Sequence, residues 1–148
     1  NYCDIVSGDG RLALAADQYL FDLIVLDAFS SDVIPPHLVS REALDLYLSR
    51  LKPDGVLLFH TSNRYLRVKD LVGALVTAAD LPSLARVDRG KGAISDSSYV
   101  IAAKSMEALA GLRVFDNWRT VSAPPGVRVW TDEYSSLVGL LQWEHEAR

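Results

Sequence analysis

Two short apolar runs on either side of one amphipathic helix constrain this chain more than any other feature. Phe21 to Leu26 reads FDLIVL and ends at Asp27; Val56 to Phe59 reads VLLF and ends at His60. Runs so apolar suit strands covered on both faces, as in a parallel sheet. Between them Leu44, Tyr47, Leu48 and Leu51 recur at i, i+3, i+4 and i+7, the stripe of a helix lying on a sheet. Ser40 stands where its N-cap belongs, and Lys52-Pro53-Asp54-Gly55 stops it. Asp27 and His60 then leave the sheet at one edge.

The remaining pattern extends this unit. Val68, Leu71, Val72, Leu75, Val76 and Ala79 mark one face of a second helix, ended by Pro82. Tyr2 to Ser7 reads as a strand entering a turn at Gly8-Asp9-Gly10, and Arg11 to Asp17 as a short Ala/Leu-rich helix. Asp27 to Ser40 is a loop, because Pro35-Pro36 is incompatible with a helix interior. Leu84 to Val87 and Ser98 to Ala103 predict an antiparallel hairpin around the polar turn Asp88 to Asp96. Ser105 to Ala110 reads as a short helix, Val114 to Val129 as irregular and Ser135 to Glu146 as a final helix. The class is α/β with a mostly parallel sheet, in one domain spanning residues 1–148. In such sheets ligands bind beyond the carboxyl ends of the strands. That rule points to Gly8-Asp9-Gly10, to Asp27 with its loop, and to His60 through Asn63.

Composition removes several classes of function. Fifteen Lys and Arg against 19 Asp and Glu give a net charge of −4, so no basic excess exists to neutralise nucleic-acid phosphates. Cys3 is the only cysteine, so no intramolecular disulfide forms, which fits a cytoplasmic setting. No apolar run reaches the roughly 18 residues of a bilayer span. His37, His60 and His145 lack metal-ligand spacing, and no metal site is expected. The chain opens at Asn1 and its one methionine is Met106, which reads as a piece of a longer protein. A membrane anchor elsewhere in that protein is compatible with this reading.

Few residues could carry chemistry. Asp27 directly follows LIVL, before a long loop with two serines and a second acid, Asp32. A carboxylate there can hold an ammonium or hydroxyl and accept its proton; equally, Asp ends strands and starts turns. Asp9 sits between glycines that let a ligand approach the backbone, or that simply make a turn. The stretch is no dinucleotide fingerprint, because Ala13 stands where the third glycine belongs. His60 can bind substrate, relay a proton or serve as a structural hydrogen-bonding group. Trp130 to Tyr134 (WTDEY) is a polar-aromatic cluster able to stack on a cation, or to cap and pack the last helix.

Taken together, SGDGRLALA, FDLIVLDAFSSDVIPPHL and LYLSRLKPDGVLLFHTSN resemble the polyamine aminopropyltransferases, the spermidine synthase family. VWTDEYSSL also resembles a tract near the end of those chains. The resemblance covers roughly Asp4 to Leu66, with a return at Val129 to Leu137. It implies the Rossmann-like fold of S-adenosylmethionine-dependent methyltransferases, with an antiparallel C-terminal strand and with the first strands absent from this chain. It implies S-adenosylmethionine or its decarboxylated form as donor, and a small amine or other nucleophile as acceptor. By that resemblance Asp27 is the catalytic acid that orients and deprotonates the amine, and Asp9 with Gly10 contacts the nucleoside's adenine. His60 replaces a substrate-contacting glutamine. The family's second acid, three residues after the first, is Ser30 here, and the next acid is Asp32. Ser30, Asp32, His60 and Tyr134 are therefore the substrate-binding candidates. On this reading the chain is the acceptor-side half of a transferase site, inactive alone, whose open strand edge favours self-association.

Three other readings stand beside this one. A methyltransferase would use the same scaffold with a different nucleophile at Asp27. A non-catalytic module would bind a nucleoside or a partner without turnover. A phosphoacceptor domain would use Asp27, Thr61-Ser62 and Lys104, but too few residues separate Asp9 from Asp27 for its chain path.

Overall fold

A computed structural model describes residues 3–29, 34–90, 96–112, 114–115 and 117–141. The first helix is α1 (Gly10–Ala16), capped by Asp9, whose Oδ1 accepts from the backbone N–H groups of Arg11 at 2.8 Å and Leu12 at 3.0 Å. β1 (Phe21–Leu26), a 3-10 turn over Pro36–Leu38, α2 (Arg41–Arg50) and β2 (Leu51–His60) follow. Ser40 caps α2 as expected, accepting from the Ala43 N–H at 3.1 Å. Next come α3 (Val68–Ala78), β3 (Ser83–Asp88) and β4 (Ser97–Ala103). A 3-10 helix over Glu107–Leu112, the two-residue β5 (Arg119–Thr120) and a 3-10 turn over Val138–Leu140 complete the described elements.

The sheet order is β1-β2-β4-β3-β5. β1 and β2 pair in parallel, while the β2–β4, β4–β3 and β3–β5 ladders are antiparallel. The sheet is thus mixed rather than mostly parallel. The cause is the expected hairpin, which places β4 between β2 and β3 with its direction reversed. Its register runs from Ser83↔Ala102 to Asp88↔Ser97.

Alternation along the strands divides the apolar residues between two faces. α2 and α3 cover one face, where Ile24, Leu26, Leu57, Phe59, Val100 and Ala102 meet Leu44, Tyr47, Leu71, Val72 and Leu75. On the other face Leu84, Ile101, Ala103 and Leu109 form a smaller cluster with Val56, Leu58 and Trp118. Among the described residues that second layer lies over β2, β4 and β3. Burial on both faces therefore fails for β1: Ile24 and Leu26 pack inward while Leu23 and Val25 stay half exposed.

Three local expectations are corrected. Cys3–Ser7 joins no strand among the described residues, and Ile5 and Val6 are exposed; an apolar stretch without a ladder partner leaves its backbone to water. Lys52–Gly55 ends α2 but does not delay β2. It forms an irregularity inside that strand, with Phe21↔Leu51 followed by Leu23↔Val56. Only glycine fits at position 55, since a Cβ there would lie 2.7 Å from the Phe21 carbonyl oxygen. Of the helix expected over Ser135–Glu146, residues 135–141 make only the 3-10 turn, and the rest lies outside the described residues. Among the described residues no helix is long and apolar enough to cross a membrane.

Candidate active site

Parallel register brings the two strand-end residues together. Leu26 pairs with Phe59, so Asp27 and His60 are the next positions on neighbouring strands. Strands lie about 4.8 Å apart, within reach of two side chains on one face. His60 Nδ1 lies 2.7 Å from Asp27 Oδ1. On its other side His60 pairs in register with Tyr99 of β4, and the two rings stack at 5.0 Å between centroids and 21° between planes. The Asp27 side chain is 61% exposed and that of His60 24%. His60 Nε2 is buried and has no hydrogen-bond partner among the described residues.

The rim beyond His60 is built from short polar side chains. Thr61 donates from its N–H to the Ser98 carbonyl at 2.7 Å, and its Oγ1 lies 3.0 Å from Ser98 Oγ. The Ser98 N–H donates to Ser62 Oγ at 2.8 Å. Asn63 accepts from the N–H groups of Tyr65 and Leu66 at 2.9 Å and donates to the Phe29 carbonyl at 2.8 Å, tying this rim to the segment after β1. An open groove of about 710 Å³ runs along it, lined among others by Thr61, Ser62, Asn63, Lys69 and Ser98. A second cavity of about 310 Å³ lies on the Tyr99 face, between Leu58, Arg86, Asp88, Tyr99 and Trp118.

A separate polar cluster joins α1, the α2 N-terminus and the turn at Thr131–Tyr134. Arg11 holds Asp132 through two bonds of 2.7 and 2.8 Å, and Ser40 Oγ donates to the same carboxylate at 2.6 Å. The Asp132 N–H in turn donates to Glu42 at 2.9 Å. The Arg11 and Ser40 hydrogen bonds hold the Asp132 carboxyl down at about 2. Asp9 Oδ2 is 3.1 Å from His37 Nε2. The Leu12 N–H, then the Arg11 N–H and the charges of His37 and Arg11, keep the Asp9 carboxyl below its ordinary value. Burial pushes the neighbouring Tyr47 hydroxyl up to about 12. Sequence reasoning missed the Arg11–Asp132 pair, because nothing local signals a bond between residues 121 positions apart.

Gly10 is the first residue of α1. Ser30 and Asp32 lie outside the described residues. Tyr134 receives the Arg128 guanidinium on its ring at 3.9 Å, so the cation stacked on this cluster belongs to the chain itself. Asp132 caps no helix; Thr131 and Tyr134 close a turn around it. Lys104 donates to the Leu51 carbonyl at 2.6 Å, at the end of β2 opposite His60, so the phosphoacceptor arrangement does not form. Among the described residues no group of three or more His, Cys, Asp and Glu could hold a metal ion.

No family model and no curated protein matches this sequence. Among solved structures the chain is similar to a probable spermidine synthase from Corynebacterium glutamicum, with a TM-score of 0.59 and 12% identity over 88% of this chain and 54% of that one. It is also similar to a spermidine synthase in complex with the transition state analogue AdoDATO, with a TM-score of 0.51 and 16% identity over 88% of this chain and 43% of that one. At such identities the likeness shows the fold alone, a mixed α/β sheet like that of the two spermidine synthases. The chain spans about half the length of the structures it matches.

Proposed function

We propose that this chain supplies the acceptor side of a transferase site that uses an S-adenosylmethionine-type donor. The observation that carries the reading is Asp27: an exposed carboxylate at the carboxyl edge of β1, with one oxygen engaged by His60 and the other without a partner among the described residues. Such a group suits an incoming amine, which must lose a proton to attack because a free alkylamine is protonated near neutral pH. Asp27 Oδ2 accepts the N–H proton. The nitrogen lone pair forms the new N–C bond, the C–S bond of the sulfonium breaks, and its electron pair stays on sulfur as a thioether. Placement and proton acceptance each contribute orders of magnitude to such a displacement.

Asp9 and Gly10 belong to the donor side of this reading. Asp9 Oδ1 is committed to capping α1, which leaves Oδ2, now facing His37, for a nucleoside amine. The exposed Leu23 and Val25 of β1, and the roughly twofold length of the matched structures, support a remainder of the nucleoside site supplied by further chain. The test is Asp27→Asn in the complete protein, with S-adenosylmethionine and its decarboxylated form as donors and putrescine as first acceptor. The variant is expected to keep its circular dichroism spectrum and lose at least about a hundredfold in turnover. Near-normal turnover overturns the assignment. Product mass separates aminopropyl transfer from methyl transfer.

A further inference from the structure

We infer that His60 is a positioning residue for Asp27, holding the carboxylate as the Nδ1–H form of the imidazole so that Oδ2 stays turned to the acceptor. The inference rests on the reading of Asp27 given above, and it says what the contact of His60 with Asp27 is for. An aspartate exposed to 61% rotates freely unless something holds it. His60 is placed to do this, because it is itself held on two sides. Its backbone lies in β2, between β1 and β4, and its ring stacks on Tyr99 at 5.0 Å.

The choice of nitrogen follows from the surroundings of the ring. Nδ1 lies 2.7 Å from a carboxylate oxygen, which accepts a hydrogen bond and has no hydrogen to give when ionised. The proton of the neutral ring therefore belongs on Nδ1. The other tautomer places a lone pair against Oδ1 and a buried N–H at Nε2, where no acceptor stands among the described residues. Among those residues Nε2 is unpaired in either form, so the two differ by the Nδ1–H bond to the carboxylate, whose loss disfavours the other tautomer by roughly tenfold or more. Nε2, with an accessible area below 1 Å², is closed to an acceptor molecule. The exposed Oδ2 is the proton-accepting atom, and His60 acts through it.

Two measurements test this. Long-range 1H–15N correlation spectra of the labelled protein near neutral pH are expected to show His60 protonated at Nδ1, and Asp27→Ala is expected to abolish that preference. A wild-type ring protonated at Nε2, or one indifferent to Asp27→Ala, overturns the inference. In the sulfonium transfer assay, His60→Leu is expected to lower kcat at least about tenfold with KM within about twofold. His60→Asn, which keeps an N–H donor near the place of Nδ1, is expected to recover most of the loss. Wild-type kcat in a folded His60→Leu overturns the inference as well. The spectra do not depend on turnover. An Nδ1–H ring in a protein that transfers nothing refutes proton acceptance by Asp27 and leaves its orientation by His60 intact.

Discussion

Separating Arg11 from Asp132 should loosen the join between the Gly8-Asp9-Gly10 turn, α2 and the turn at Thr131–Tyr134. Two parallel bonds of 2.7 and 2.8 Å make the pair bidentate, and Ser40 adds a third at 2.6 Å. Bidentate charge-assisted bonds are the stronger kind. Taken at face value, a carboxyl moved from 3.8 to about 2 is worth roughly 2.5 kcal/mol. The Asp132 side chain is 42% exposed and that of Arg11 19%, so solvent screening reduces this to about 1 kcal/mol. Asp132→Asn is therefore expected to lower the unfolding free energy by about 1 kcal/mol in urea titrations near neutral pH. Arg11→Met should cost a similar amount, and the double variant less than both together, with a coupling of about 0.5–1 kcal/mol. The sign with pH is fixed by the direction of the shift. The folded carboxyl titrates below the unfolded one, so its contribution is full above about pH 4 and is lost as the pH falls through about 2. The gap between wild type and Asp132→Asn should close over that window. A coupling of zero, or a gap that widens in acid, refutes the argument.

Two packing predictions accompany it. Leu71 is wholly buried between α3 and the sheet, so Leu71→Ala should cost about 2–5 kcal/mol by denaturant titration; a cost under about 1 kcal/mol would show that α3 does not pack as described. Gly55→Ala sets a methyl group 2.7 Å from a backbone oxygen that has no room to rotate away, so it should cost about 1–3 kcal/mol and shift the Phe21–Leu26 amide resonances; unchanged spectra would refute the close approach.

What was readable from the residues, and what was not, follows from how locally each feature is encoded. β1 begins and ends where its apolar run does, and α3 follows its i, i+3, i+4 stripe, because both patterns report burial residue by residue. The Ser40 cap was readable for the same reason, since its bond spans three positions. Asp27 and His60 could be placed at one edge, because strand direction in a strand–helix–strand unit is set by topology. Their contact could not be read, as it depends on the register between β1 and β2. Exposure of Leu23 and Val25 was equally hidden. An apolar strand reads the same whether or not a second layer covers it, and among the described residues that layer stops short of β1. The Trp130–Tyr134 cluster invites a ligand in sequence, but Arg128 and Arg11 are the cations that answer it, one of them from the far end of the chain.

The register that joins Asp27 to His60 is set several residues away, at the irregularity in β2. Phe21 pairs with Leu51, but Leu23 pairs with Val56, so β2 spends three more residues than β1 over that step. Lys52 closes the excursion by donating to both oxygens of Asp22 at 2.8 and 2.9 Å, and Gly55 lets the chain return against the Phe21 carbonyl. Side chains alternate with a period of two along a strand. One residue more or fewer in Lys52–Gly55 would turn His60 to the helix-covered face and bring Phe59 or Thr61 level with Asp27. The stacked Tyr99 would be carried along with His60 and away from Asp27, because β4 is registered on β2 through Val56↔Ala103 to His60↔Tyr99. The Lys-Pro-Asp-Gly stretch, which reads in sequence as a helix stop, thus determines which side chain meets the carboxylate at the far end of the strand.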